Sequence, residues 1–185
     1  HRGIGRSPDR WNVVLVTIDT LRADYVGVYG AGRAKTPAID VLAGEGVRFE
    51  HCIAQAPLTL PSHTSLLSAT QPLFHRVRDN GAFQAPQELE LLSEVLRGRG
   101  FATAAFIGGY VLHGKWGLNQ GFDTYADRFD PGSATDLTMQ TSKPAGTVLA
   151  EARAWLEQYG NRRFFTWIHL YDPHFPYAPP PPFDR

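Results

Sequence analysis

The chain has 185 residues, 43% apolar and 19% charged, which allows one domain with a real core and excludes a disordered chain. Lys plus Arg and Asp plus Glu balance at 18 each, so no global field draws it to nucleic acid or to a membrane surface. Cys52 is the only cysteine, which rules out a disulfide within the chain, and no apolar run is long enough to span a bilayer.

Residues 1–10 are polar and rich in Gly, Arg and Pro, and are expected to form an arm before a domain over 11–185. "WNVVLVTID" is a β-branched apolar run, expected to be a strand buried on both faces of a parallel sheet and ending at Asp19. "TPAIDVLAGEG" places Pro37 at a helix start and Gly44 and Gly46 at its end. "VRFEHCIAQ" reads as a short strand or extended segment. "LPSHTSLLSAT" reads as a helix with Thr59 just before it and Pro61 in its first turn.

"ELELLSEVLRGRG" is amphipathic, with Leu89, Leu92 and Leu96 on one stripe and a glycine stop. "FATAAFIGG" is expected to be a second buried strand. From about Gly108 to Lys143 the chain is Gly- and Asp-rich with little periodicity, and is expected to form long loops with short elements. "TVLAEARAWLEQYG" is a helix with Val148, Ala152, Trp155 and Tyr159 on one face, closed by Gly160. "RRFFTWIHL" is another buried strand, delivering His169 to its end.

This alternation predicts an α/β fold, a largely parallel central sheet flanked by helices. Ligands bind such sheets at the carboxyl ends of strands. Three polar clusters are expected there: Asp19, Thr59 to His63, and His169 to His174. Asp19 suits either a cap or a metal ligand. Thr59 and His63 suit a helix cap with a surface histidine, or a nucleophile at a helix mouth that favours anions. Asn80 in "HRVRDNGAF" suits a turn, or an amide donor to an ester oxygen. His169, Asp172 and His174 in "HLYDPHFPY" suit a stiffened loop, or a metal or anion site.

Taken together, "NVVLVTIDTLRADYVGVYG", "TPAIDVLAGEGVRFEHCIAQAPLTLPSHTSLLSATQP" and "FFTWIHLYDPHFPYAPPPPF" resemble the N-terminal part of the sulfatase family, in the alkaline phosphatase superfamily. "GFATAAFIGGYVL" and "GLNQGFD" fit the same pattern. The resemblance implies an alkaline phosphatase-like fold and a divalent metal cofactor, with Ca, Mg, Mn and Zn undistinguished. It makes Asp19 a metal-binding residue and puts Thr59 at the nucleophile position, where it also touches the metal. Asn80 becomes a holder of a substrate oxygen, His174 a contact to the ester or leaving oxygen, and His63 stands where the family's signature has arginine. His169 is assigned to substrate binding.

The departures are equally specific. Asp19 is followed by Thr20 rather than a second Asp. Thr59 cannot be oxidised to the formylglycine aldehyde that Cys or Ser gives. Lys115 in "HGKWGL" lies too far past the strand to match the family's Gly-Lys-Trp lysine. The second metal-binding motif comes later in the family than this chain reaches, so the chain reads as a piece of a longer polypeptide, inactive alone.

Three readings follow from the resemblance. The first is a metal-dependent hydrolase of sulfate esters, acting on a small-molecule or glycan substrate through a covalent intermediate on Thr59. The second is a threonine-dependent phosphodiesterase, phosphonate hydrolase or phosphotransferase. The third is a non-catalytic binding domain. The compartment is left open, with an exported or periplasmic location favoured and no leader seen.

Overall fold

The computed structural model describes residues 11–32, 34–129, 138–139, 141–179 and 181–182. The arm expected over residues 1–10 lies outside them. Four strands, β1 (Val13–Ile18), β2 (Ala102–Ile107), β3 (Thr124–Ala126) and β4 (Phe164–Leu170), form one parallel sheet in the order β1-β4-β2-β3. The helices are α1 (Pro37–Glu45), α2 (Thr59–Ser68), α3 (Pro72–His75), α4 (Leu92–Gly98) and α5 (Ala145–Tyr159).

The period-two alternation of strand side chains sorts β2 and β4 into two cores. Phe165, Trp167, Ala105 and Ile107 pack with Leu60, Leu67 and Leu91 on the face covered by α2 and α4. Phe164, Ile168, Ala104 and Phe106 pack with Val148, Ala152 and Trp155 of α5 on the other. The sheet is therefore a layer between helices, as its sequence pattern implies.

β1 differs from the expected doubly buried strand. Val14 and Val16 are about half exposed, at 52% and 50%. α5 packs mainly on β2 and β4, and beside the edge strand a cleft separates Val16 and Ile18 from Ala38, Ile39 and Leu42 of α1. Residues 47–55 join neither sheet edge, and Val47, Phe49 and Ile53 lie open to solvent. α4 starts later than the leucine stripe suggested. Leu89 and Leu91 are buried ahead of it, whereas Leu92 points outward. The Leu91 N–H donates to Glu94 Oε2 at 2.9 Å, which fixes the helix start there. β3 falls in the stretch expected to be loops; three residues give too short an alternation to read.

Asp172 proves to be structural. Its Oδ1 accepts from the N–H of Ala145, the first residue of α5, at 3.1 Å. Asp172→Ala is expected to lower stability by about 1 kcal/mol, read from denaturant melts, because it strips that helix of the side-chain acceptor on its first N–H.

Candidate active site

Strand pairing sets the geometry. Thr17 of β1 lies beside His169 of β4, so the two strand tips deliver Asp19 and His169 to one place. The ladder continues one residue further, with Asp19 N–H donating to Leu170 O at 2.9 Å. Thr20 then turns away with φ 54, a left-handed conformation that is costly for a β-branched residue. On the other side of β4, the Gly108 N–H donates to His169 O, and a Cβ at Gly108 would come 2.7 Å from that oxygen. Only glycine lets β2 pass the His169 backbone so closely.

Thr59 is the first residue of α2, one position further in than expected. Its hydroxyl does not cap the helix; it donates to Asp19 Oδ2 at 3.0 Å. Asn80 does part of the capping. Its Oδ1 accepts from the Leu60 N–H at 2.9 Å, which leaves its Nδ2 amide free as a donor. Pro61 has no N–H, and the Ser62 N–H bonds Leu58 O at 3.1 Å. Within the first turn of α2, Thr59 N–H is thus the amide still without a partner among the described residues.

His63 is buried beneath this turn. Its Nδ1 lies 2.8 Å from Thr59 O. A carbonyl only accepts, so Nδ1 carries the proton and Nε2 keeps its lone pair. The ring packs on Trp167 at 5.6 Å and edge-on against His169 at 5.0 Å. Burial, and then the neighbouring His169, push its pKa down to about 4, so it is neutral near pH 7.

His169 is wholly buried. Its Nε2 lies 3.4 Å from Asp19 Oδ2, too loosely aligned to count as a hydrogen bond, and neither ring nitrogen has a hydrogen-bond partner. Burial alone would raise the Asp19 pKa, but His169 and the Thr59 hydroxyl outweigh it and hold the carboxyl below its usual value. Asp19 therefore stays ionised although only 7% exposed.

His174 stands further along the same rim. Its ring stacks on Tyr171 at 4.4 Å, and Tyr171 in turn lies 5.9 Å from His169. His174 Nδ1 donates to Phe175 O at 2.6 Å, which leaves Nε2 as the ring nitrogen able to serve a ligand. Burial, and then the Asp19 carboxylate, push the Tyr171 hydroxyl up to about 12. Tyr171 and Trp167 are site neighbours that sequence reasoning missed. The signal was present, because residues 165, 167 and 169 alternate onto one face of β4 and Tyr171 follows in the same period just past its end.

A cleft of about 610 Å³ opens over Asp19, Thr59 and His63, lined also by Cys52, Gln55 and Ser62; Asn80, His169, Tyr171 and His174 stand outside its lining. Among the described residues, no three His, Cys, Asp or Glu side chains stand together as a metal cage. Asp19 and Thr59 still fit a hard divalent cation: both present oxygen donors, one of them a buried carboxylate, and oxygen is what such ions take.

His75 supports α2 from behind. It is buried; its Nδ1 accepts from Val77 N–H at 3.1 Å, so Nε2–H donates to Ser65 Oγ at 2.9 Å. Burial lowers its pKa from the ordinary 6.5. The unfolded chain therefore takes up this proton first on acidification, and stability is lost as pH falls below about 6.5. His75→Gln is expected to show a smaller fall in urea midpoint between about pH 7.5 and about pH 5.5 than the parent.

The sulfatase family model matches residues 11–185. The chain belongs to the sulfatase family. It is 24% identical to the ulvan-active sulfatase of Formosa agariphila over 94% of this chain and 37% of that protein. It is 33% identical to mouse (Mus musculus) steryl-sulfatase over 62% of this chain and 19% of that one. The chain thus spans less than half the length of these curated relatives.

Solved structures show the same fold. The phosphonate monoester hydrolase of Agrobacterium radiobacter superposes with a TM-score of 0.79 at 21% identity, over 95% of this chain and 44% of that one. BT4656, solved in complex with its substrate D-glucosamine-2-N,6-O-disulfate, gives 0.76 at 22% identity, over 92% and 36%. The alkaline phosphatase-like architecture expected of this sulfatase-family chain is the one observed.

Proposed function

We propose that the protein containing this chain hydrolyses sulfate esters, with Thr59 as the nucleophile. The observation that carries this reading is the direction of the Thr59 hydroxyl: it donates to a buried carboxylate at a strand tip instead of capping its own helix. A capping threonine would do the opposite.

Asp19 and Thr59 would hold the divalent cation, which lowers the alcohol's pKa and offsets the charge of the ester. Thr59 Oγ1 forms a bond to sulfur as the bond from sulfur to the leaving oxygen breaks. Its proton leaves along the existing hydrogen bond to Asp19 Oδ2. The Thr59 N–H and the Asn80 amide donate to the non-bridging oxygens. His174 would supply a proton from Nε2 to the departing oxygen. Water then attacks sulfur and breaks the Thr59 Oγ1–S bond; one water proton passes to His174, Asp19 returns its proton to Thr59 Oγ1, and the group leaves as hydrogen sulfate. His63 locks the Thr59 carbonyl, and with it the first turn of α2. In this scheme His169 positions Asp19 from beneath and, being wholly buried, is a positioning residue rather than a substrate contact.

A second reading is a phosphate diester or phosphonate substrate on the same residues. Thr59 favours it, because threonine has no route to an aldehyde and must form a simple ester. Incubating the full-length protein with 4-nitrophenyl sulfate and with bis(4-nitrophenyl) phosphate, then digesting it, decides between them. Thr59 carrying one SO₃ group is the expected result. A phosphoryl adduct selects the second reading, and turnover surviving Thr59→Ala removes both.

A further inference from the structure

Tyr171 is the first residue past β4, and it is only 5% exposed although it stands beyond the end of a strand. Two neighbours enclose it. The first is the chain leaving β2, which passes at close range: a Cβ at Gly109 would come 2.7 Å from Tyr171 Cδ2 and 2.9 Å from Cε2. Gly109 has φ −120 and ψ 131, extended values open to any residue. Its missing side chain therefore makes room for the Tyr171 ring and serves no turn. Gly109 is itself held in place, because it bridges Ser142 and the Lys143 N–H donates to Gly108 O at 2.7 Å.

The second neighbour is the chain beyond Tyr171, which folds back on it. The His174 N–H donates to Tyr171 O at 2.9 Å and closes a turn. That turn lays the imidazole on the phenol ring, 4.4 Å between centroids and 15° from parallel. Asp172, inside the turn, ties it to α5 through the Ala145 N–H. Stacking fixes the plane of an imidazole but lets it rotate within that plane. The bond from His174 Nδ1 to Phe175 O stops that rotation. Together the two contacts leave Nε2 one direction. A leucine at 171 would fill much of the same space but would offer no flat face.

We infer that Tyr171 is a positioning residue: its ring, seated on Gly109, is the platform that aims His174 Nε2. What Nε2 is aimed at, the departing oxygen, rests on the hydrolase reading above, but the platform itself is tested without turnover. Proton transfer needs a donor within hydrogen-bond reach and in line, so an imidazole free to swing delivers its proton less often.

In the full-length protein with isotope-labelled histidine, the NMR signal missing from His174→Asn identifies His174. Its ring C–H protons are expected upfield of free histidine, because they lie over an aromatic face. Tyr171→Phe should keep that displacement and Tyr171→Leu should lose it. Gly109→Ala, whose nearest contacts are all on Tyr171, should reduce it. In Tyr171→Leu and in Gly109→Ala, kcat for an alkyl sulfate should fall about tenfold further than kcat for 4-nitrophenyl sulfate, since 4-nitrophenolate departs without a proton. Tyr171→Phe should keep the parent's ratio. Adding Gly109→Ala to Tyr171→Leu should change little more, because both act through one ring.

A His174 signal at the free-histidine position in the parent, or one untouched by Tyr171→Leu, refutes the platform. A lost displacement with an unchanged ratio of the two esters refutes its part in aiming the acid. If the parent hydrolyses neither ester, the hydrolase reading falls, and the NMR displacement still decides the platform by itself.

Discussion

Thr59→Ala in the full-length protein is expected to lower kcat by at least about 10⁴-fold, with the folded state intact. The loss falls on kcat because the missing oxygen is the one that bonds to sulfur or phosphorus. Thr59→Ser keeps that oxygen and drops only a methyl group, so most of the activity should remain. The two variants together separate a chemical role from a packing role. Single-turnover kinetics with mass analysis of the protein provides the check: the parent and Thr59→Ser accumulate or transit a covalent adduct, and Thr59→Ala forms none. Equal rates in the parent and Thr59→Ala would overturn the assignment.

Trp167→Ala is expected to be the most destabilising single change near the site, costing about 3–5 kcal/mol. Trp167 is wholly buried on the α2 face of β4. Its Nε1–H donates to Thr17 Oγ1 at 3.0 Å, and its ring packs against His63 and Phe122. Truncation leaves a cavity under the two residues that hold Thr59 and Asp19 in register. For a protein of this size the thermal midpoint should fall on the order of 10 °C. Trp167→Phe refills most of the space and should recover more than half of that loss. Thermal melts of both variants in the full-length protein measure it.

The strands that carry the site were legible from their composition. β2 is an unbroken run of small, β-branched and aromatic residues and β4 a largely aromatic and β-branched one, and such runs have few other homes in a chain with helices between them. The position of Asp19 at a strand end followed directly. What β1 packs against was not legible, since apolarity says that a face wants cover and not which element provides it; Val14 and Val16 show the difference. The polar residues were harder still. Thr59 opens α2 yet turns to Asp19, whereas Asp172, just past the end of β4, bonds the first N–H of α5 far back in the chain. Sequence spacing cannot separate these, because each choice depends on a partner far along the chain. Asn80 was expected as a turn or as an amide donor; that its oxygen accepts from the Leu60 N–H needed the fold.

Thr20 is bent into a conformation its side chain resists, immediately after the carboxylate that accepts the Thr59 hydroxyl hydrogen bond. Strain of that kind persists only where surrounding structure enforces it. Residue 20 therefore behaves like a cocked spring beside the reacting atoms. A glycine there would relax it and harden the molecule against heat, while letting the Asp19 carboxylate wander, so a search for tougher versions of this protein should find position 20 early and loosen the contact between Asp19 and Thr59 by it.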